Sequence, residues 1–401
     1  MNILLACSKY MPEYSGAGYR AHNLYKRLSL GNPDIKLTVL CGSETENDSR
    51  KYAYEEFDVN RIACKQYPVL DSGIIRRWEN FCNFHNEYSE TRKFLASLPA
   101  KPAIVHVFGQ NYVTVTAIDY AIRNKIYLII ELVTDLEIPF QYVPFPFKYL
   151  LRTSPTDNFI FICISEKLKA MCLANGVSDE NIWCRPNPVD ETKFKPVSDE
   201  KKCELRRNLT KFADNDKLII YIAKYRPSKN QKFLVEVMKH LPDKFNLFIK
   251  GPLVKDGPLA GRDNAYFNEI REMVVQQNLS RRIQVEEGFC DNVEEYYQMS
   301  DVYAFPSESE GLGTPILESV ASGIPVVANR IGGVTDVWIK DGGNGYLSEL
   351  TPSLFAEKII LASGLSREKR RIESENILKV AGTENIDRTY AGLINKGLKE
   401  Q

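Results

Sequence analysis

The chain has 401 residues, 44% hydrophobic and 26% charged, which is ordinary for a globular protein of two domains. Its 52 basic and 52 acidic residues give a formal net charge of zero, which argues against a general nucleic-acid binder. The nine cysteines form no Cys-x-x-Cys pair, and no stretch approaches the ~18 apolar residues of a membrane span. With no signal-peptide pattern at the N-terminus, we expect reduced thiols in a cytoplasmic protein.

Short apolar runs alternate with helix-like segments along the first half of the chain. Most of these runs are continuous, which is typical of strands that are buried on both faces of a parallel sheet. The predicted strands of this half are Ile3–Ala6, Leu37–Leu40, Ile104–Val107, Tyr127–Glu131 and Phe159–Ile164.

Two other segments of this half carry possible function. Gly16-Ala-Gly18-Tyr-Arg-Ala21 fits a dinucleotide fingerprint, but it lies too far beyond the first strand for the tight Rossmann turn. We therefore favour a glycine loop at an interdomain cleft over an NAD site. The aromatic segment Phe140–Arg152 is interpreted as packing within this half of the chain, or as contact with the membrane surface or a lipid-linked molecule.

A stiff, proline-rich connection at 185–196 marks the predicted domain boundary. We predict a first domain over 1–185, a second over 186–384, and a C-terminal helix of about 385–401 that crosses back to the first. The fold class is α/β, with two doubly wound Rossmann-like domains that face a cleft. Predicted strands of the second half are Leu218–Ala223, Asn246–Ile249, Ile283–Glu286, Val302–Phe305 and Pro325–Ala328.

The segment from Asp301 to Leu347 has the densest chemistry. After strand Val302–Phe305, a loop carries Glu310, Gly311 and Gly313. Thr314 then suits a helix N-cap, Pro315 the first turn, and Gly323 the position after the helix.

This strand–loop–helix unit predicts an anion site. Glycines allow a ligand close to the backbone, and the unpaired N–H groups of a helix start favour a diphosphate. Glu318, in the first turn, is suited to the vicinal hydroxyls of a ribose, and Glu310 lies where open α/β sheets bind ligands. Gly332 and Gly333 repeat the arrangement after the next strand. The alternative is a pair of well-capped structural units with surface glutamates.

The nine residues from Glu310 to Glu318 resemble the E-x7-E motif of retaining GT-B glycosyltransferases, in particular glycosyltransferase family 4. The resemblance covers roughly residues 1–347. Further matching segments are Gly16–Gly18, Pro186–Asp190, Gly288–Phe289, Tyr297–Ser307, Gly332–Asp336 and Asp341–Gly345.

The resemblance implies a nucleoside-diphosphate sugar as donor, a saccharide or lipid-linked acceptor, retention of configuration and no essential metal. Glu310 would contact the transferred sugar and Glu318 the ribose. Gly311, Leu312, Gly313 and Thr314 would lie along the donor, and the loop of Gly16 and Gly18 would lie near the diphosphate or the acceptor. A basic pair neutralises the diphosphate in the family. Lys229 matches one member, while Lys224 stands where arginine is usual and Arg226 would compensate.

Two family features are altered or weak in the first domain. The family commonly carries a His-Asp pair facing the sugar, whereas this chain has Thr134 and Asp135. His106 resembles a recurrent strand histidine, and its other interpretation is a buried histidine with satisfied hydrogen bonds. The pattern Asp214-Asn-Asp216 is interpreted as a turn and not as a metal site.

Three functional hypotheses follow from these observations. The leading one is a cytoplasmic glycosyltransferase, with peripheral membrane contact through Phe140–Arg152 as a further expectation. The second is a non-catalytic, nucleotide-sugar-binding subunit, suggested by Thr134 and by the missing arginine. The third, a dehydrogenase, requires NAD binding through Gly16 and Gly18.

Overall fold

The computed structural model describes residues 2–13, 15–43, 48–62, 74–132, 152, 157–253, 260–290 and 292–399, with backbone only at 74–77. The chain divides into two compact units. Met1–Arg185 together with Ile386–Gln401 form the first, and Pro186–Asn385 form the second.

The first unit is built on an eight-stranded sheet of order β3-β4-β2-β1-β5-β6-β7-β8, parallel except for the β3–β4 hairpin. Its strands β5, β6 and β7 are buried at every position, as their continuous apolar runs predict. The strands are β1 Asn2–Cys7, β2 Lys36–Cys41, β3 Arg50–Tyr54, β4 Phe57–Arg61, β5 Ile104–Phe108, β6 Tyr127–Leu132, β7 Phe159–Cys163 and β8 Ile182–Cys184.

Helices connect these strands, and the C-terminal helix belongs to the same unit. Ile386, Tyr390 and Ile394 recur every four residues on that helix, and all three are buried in the core of the first sheet. The helices are α1 Gly16–Gly31, α2 Ile74–Ala96, α3 Tyr112–Arg123, α4 Glu166–Ala174 and, at the C-terminus, α13 Thr383–Lys399.

The second unit has a six-stranded parallel sheet of order β11-β10-β9-β12-β13-β14. This is the Rossmann order, in which the chain direction across the sheet reverses between the first and fourth strands, here β9 and β12. The strands are β9 Lys217–Ile222, β10 Phe245–Gly251, β11 Ile283–Glu287, β12 Val302–Phe305, β13 Val326–Asn329 and β14 Gly345–Ser348.

The helices of the second unit cover its sheet and share one continuous apolar core with it. They are α5 Asp199–Leu209, α6 Gln231–Val237, α7 Ala260–Gln276, α8 Val293–Gln298, α9 Thr314–Ala321, α10 Thr335–Trp338, α11 Pro352–Ser363 and α12 Arg367–Ala381. None of the described helices has the length and hydrophobicity to cross a bilayer.

Each predicted strand is present, but four strands were not predicted. The hairpin strand β3 is polar and largely exposed, β8 has three residues, and β4 and β14 are also short. These strands have too few apolar residues for periodicity to detect, and they form because neighbouring strands supply their hydrogen bonds.

Candidate functional site

The candidate site lies at the carboxyl ends of β9 and β12, the two adjacent strands where the order of the second sheet reverses. Open α/β sheets bind ligands at such a point because the loops diverge there and leave a crevice. The loop after β9 carries Lys224, Arg226 and Lys229, and the loop after β12 carries Glu310. The topology therefore brings together two segments that are about eighty residues apart in sequence.

Lys229 and Glu310 form an ion pair, Nζ to Oε1, across the two loops. Their side chains are only 26% and 15% exposed. Backbone and tyrosine bonds fix the loops: the Glu308 N–H donates to the Ser228 carbonyl at 3.0 Å, and the Tyr221 hydroxyl donates to the Lys229 carbonyl at 2.9 Å. The pair is thus held in place by the scaffold, with enough exposure for a ligand to reach it.

The helix that follows Glu310 begins one residue earlier than expected. Gly313 is the N-cap, with φ of 77°, a left-handed conformation that favours glycine. Thr314 is therefore the first helical residue, and its hydroxyl accepts a hydrogen bond from Asn187 Nδ2 at 3.0 Å instead of capping the helix. Leu312 is buried and holds the loop against the core, whereas Gly311 is exposed to solvent. Gly323, with φ of 74°, follows the helix as predicted.

Glu318 lies in the second turn of α9 and not in the first as predicted, because the helix begins at Thr314. Its side chain is half-buried, and the Tyr297 hydroxyl donates to Oε2 at 3.0 Å. Burial raises the pKa of Glu318 to about 7; the Tyr297 bond opposes this, and the negative charge of Glu294 adds to it. A half-buried carboxyl held by one hydroxyl has remaining oxygen lone pairs for other hydroxyl donors, such as a ribose diol.

Glu318 should make the second unit less stable as the pH rises. Its folded pKa of about 7 exceeds the ordinary 4.5, so the folded state binds more protons than the unfolded state between those values. Stability from this group therefore falls through that window. We expect the melting temperature of wild type to drop more than that of Glu318→Gln between about pH 5 and about pH 8. If the melting temperatures of wild type and Glu318→Gln fell equally with pH, the expectation would be wrong. It would also be wrong if the exposed control Glu357→Gln reduced the fall as much as Glu318→Gln does.

The other two basic residues of the β9 loop differ in their surroundings. The Lys224 side chain is exposed, while its backbone packs against the end of β10, where a Cβ on Gly251 would lie 1.8 Å from the Ala223 carbonyl oxygen. Arg226 lies 3.6 Å from the buried carboxylate of Asp263. Among the described residues Lys224 has no ion-pair partner at the crevice, whereas Arg226 already lies beside Asp263.

Gly332 and Gly333 form an exposed turn after β13, beside the same crevice. Gly333 has φ of 71°. Asn329, the last residue of β13, donates to the Ser307 carbonyl at 3.0 Å and so joins this turn to the loop after β12. The structure therefore gathers both glycines with Glu310 and Lys229 at one end of the sheet.

Gly16 and Gly18 do not form the predicted loop. They lie in the first turn of α1, where Ser15 is the N-cap and its hydroxyl accepts from the Gly18 N–H at 2.9 Å. Gly18 is buried, and a Cβ there would lie 2.5 Å from the Lys9 carbonyl oxygen. Close packing therefore explains glycine at this position, and a helical turn replaces the expected loop.

His106 is fully buried in the first unit and has no surface for a sugar. Its Nδ1 pairs with the Tyr25 hydroxyl at 2.9 Å and its Nε2 lies 3.3 Å from Glu131 Oε1. Burial lowers its pKa. The structure thus corrects the sugar-contact hypothesis in favour of a histidine with satisfied hydrogen bonds. Thr134, Asp135 and, apart from Arg152, the segment Phe140–Arg152 lie outside the described residues.

The Asp214–Asp216 pattern lies at the opposite end of β9 from the site. The carbonyls of both aspartates accept from Arg206 Nη1, at 3.0 and 2.8 Å. Asp216 Oδ2 also accepts from Asn246 at 2.7 Å. These contacts describe a structural turn.

The structure also shows supporting residues to which the sequence analysis gave no role. Tyr297, Tyr221 and Asn187 hold Glu318, the Lys229 loop and Thr314, each from a different element. No spacing rule connects residues whose contact exists only after the sheet has formed.

Comparison with known proteins shows which family and which relatives this chain resembles. Residues 204–379 match the family model of glycosyl transferases group 1. The chain is 30% identical over 217 residues to EpsF of Bacillus subtilis, which covers 51% of each chain, so it spans about half the length of this relative. It is 28% identical over 314 residues to the N-acetyl-alpha-D-glucosaminyl L-malate synthase of Bacillus anthracis, covering 74% of this chain and 70% of that one.

A solved structure of HepE from Anabaena in complex with UDP is similar over 99% of this chain and 100% of that one. The TM-score is 0.73 and the identity 16%, a likeness that shows the fold. The predicted fold class is confirmed: the chain has the GT-B fold, with its two Rossmann-like units. The predicted similarity to the glycosyl transferases group 1 family is confirmed over residues 204–379.

Proposed function

We propose that this chain is a glycosyltransferase that moves a sugar from a nucleoside-diphosphate sugar to an acceptor hydroxyl with retention of configuration. The observation that carries the proposal is the meeting of Lys229 and Glu310 at the carboxyl ends of β9 and β12. This pair supplies a cation and a carboxylate at the point where the Rossmann order favours a nucleotide.

The charged residues of the site are each suited to a different part of the donor. Lys229 and the exposed Lys224, together with the amino end of α9, are suited to stabilise the charge that builds on a departing diphosphate. When the diphosphate pairs with Lys229, Glu310 is released from that cation and becomes available to the sugar. Glu318 would accept the ribose hydroxyls through the oxygen lone pairs that Tyr297 leaves free.

We also propose which nucleotide the donor contains and which class of acceptor is used. The HepE complex contains UDP, and we propose UDP as the nucleotide of this chain. The Bacillus anthracis relative is named for joining an N-acetylglucosaminyl group to L-malate, so we extend the acceptor class from saccharides and lipid-linked saccharides to small hydroxylated molecules. Acceptor binding by the first unit is part of this proposal.

A thermal-shift panel tests the donor assignment. We expect UDP to raise the melting temperature, GDP and ADP to have smaller effects, and Lys229→Ala to remove the shift. Lys217→Ala is a matched control, because Lys217 lies at the other end of the same strand. No shift with any of the three nucleotides, or an equal loss in the Lys217 variant, would contradict the assignment.

A further inference from the structure

The second unit has a separate pocket at the far end of α9 from the candidate site. Its cavity has a volume of about 310 Å³ and is lined by the starts of α5 and α12, by the Pro196 loop and by Ser322–Ile324. Gly313 begins α9 at the site, and Gly323 follows it at the pocket. Because eight helical residues span about 12 Å, the two places are distinct.

The pocket is rich in cations that its own acids do not fully balance. Its lining contains Lys202, Arg367, Arg370 and Arg371, but only Asp199 and Glu368 among the acids. Most of these cations have a partner: Lys202 pairs with Asp301 at 2.7 Å, Arg367 with Asp199, and Arg371 with Glu375 at 2.5 Å and Glu368 at 3.7 Å.

Arg370 is the lining cation that forms no ion pair of its own with the described residues. Its Nε is buried without a hydrogen-bond partner in that part of the chain. Asp301 acts on Arg370 through its charge, but that carboxylate is shared, because it already binds Lys202, Arg206 and the Leu218 N–H. Burial lowers the pKa of Arg370 and Asp301 opposes this, although an arginine stays charged.

The helix end and the type of the basic side chains favour a phosphate as the ligand of this pocket. The amino end of α12, a 15-residue helix capped by Ser366, adds positive potential on the side of the pocket that Arg367 and Arg370 occupy. Guanidinium groups also match the oxygen geometry of phosphate. A volume of about 310 Å³ exceeds that of a bare ion and is at the lower limit of small-molecule pockets.

We propose that this pocket is a second anion site, which binds the phosphate group of a small phosphorylated molecule through Arg370, Arg367 and Arg371. Its existence does not depend on the chemistry at Glu310. An anion there would neutralise the excess of positive charge among the lining residues.

Calorimetric titration at constant ionic strength tests this, with inorganic phosphate and glycerol 3-phosphate as probes. The Lys229→Ala background removes phosphate binding at the donor site. We expect saturable one-to-one binding, weakened at least tenfold by Arg370→Gln. Lys369→Gln removes the same charge from the next residue, whose Nζ lies near the Gly342 carbonyl, and should leave the affinity within twofold. Tighter binding of glycerol 3-phosphate than of inorganic phosphate would support the proposal, whereas equal affinities would show a site for free phosphate and would contradict a phosphorylated molecule as the ligand.

Stability without ligand separates a binding arginine from a structural one. Removing an uncompensated charge should leave the melting temperature of Arg370→Gln equal to or above that of wild type, and phosphate should stabilise wild type only. If Arg370→Gln does not fold, Arg367→Gln at the exposed rim decides the question, and wild-type affinity in that variant overturns the proposal. Absence of saturable binding, or wild-type affinity in Arg370→Gln, also overturns it.

Discussion

Replacing Glu310 with glutamine is expected to lower donor turnover on the order of 10²- to 10³-fold, the usual loss when one preorganised charged group is removed from a transition state. Glutamine keeps the size of the side chain and removes the charge that would face the sugar. Nucleotide affinity should change little, because Lys229 keeps its place and is released from its pair with Glu310.

Glu308→Gln provides the matched control for this experiment. It removes the same charge from the same loop, two residues away, and Glu308 is exposed. Release of nucleotide from a nucleotide-sugar donor, followed in a coupled assay, gives turnover for both variants. Near-normal turnover in Glu310→Gln, or equal losses in the two variants, would remove Glu310 from its proposed role.

Replacing Arg185 with methionine is expected to destabilise the first unit by about 3–5 kcal/mol, the cost of leaving a buried charge without its partner. Arg185 Nη2 donates to Glu131 Oε2 at 2.9 Å, and both side chains are almost fully buried. The Tyr390 hydroxyl of α13 bonds to both of them. The loss should therefore loosen the C-terminal helix as well as the sheet.

Urea unfolding followed by the fluorescence of Trp183, which packs on Tyr390 at 5.1 Å between ring centroids, measures this effect. Arg185→Met/Glu131→Gln should recover part of the loss, since no buried charge then remains unpaired. Lys51→Met, which breaks an exposed ion pair with Asp58, is the control and should change the stability little. A loss in Arg185→Met no larger than in Lys51→Met would show that the buried network is not stabilising.

The same network predicts acid sensitivity. Burial alone would raise the pKa of Glu131. The charge of Arg185 and the hydrogen bonds of His106 and Tyr390 oppose this and lower the pKa of Glu131 to about 2. Because the folded pKa is below the ordinary 4.5, the stabilisation is complete above 4.5 and is lost as the pH falls towards 2.

The buried strands could be predicted because parallel sheets need continuous apolar runs, as in β5 and β6. The hairpin Arg50–Tyr54 and Phe57–Arg61 could not, because it is half exposed and takes its order from pairing with β2. Local sequence also misplaced the N-cap of α9. Thr314 has the better capping side chain, but the left-handed turn at Gly313 starts the helix one residue before it.

For the site, residue types and spacing predicted Glu310, Glu318 and the basic loop, because a glycine-rich turn before a helix has a local signature. They did not predict which cation pairs with Glu310. Lys229, and not Lys224, forms that pair because the Ser228–Glu308 and Tyr221–Lys229 hydrogen bonds fix the two loops. His106 was ambiguous for the same reason: its partner Glu131 is on the neighbouring strand.

Proton NMR of the sugar released from a UDP-sugar, with water or a hydroxyl acceptor, tests the central claim most directly. We predict that the donor is consumed, that the first product has the anomeric configuration of the donor, and that Glu310→Gln slows both donor consumption and product formation on the order of 10²- to 10³-fold. Tight UDP binding without consumption of any donor would identify a non-catalytic binding protein, and a product of inverted configuration would contradict the proposed chemistry.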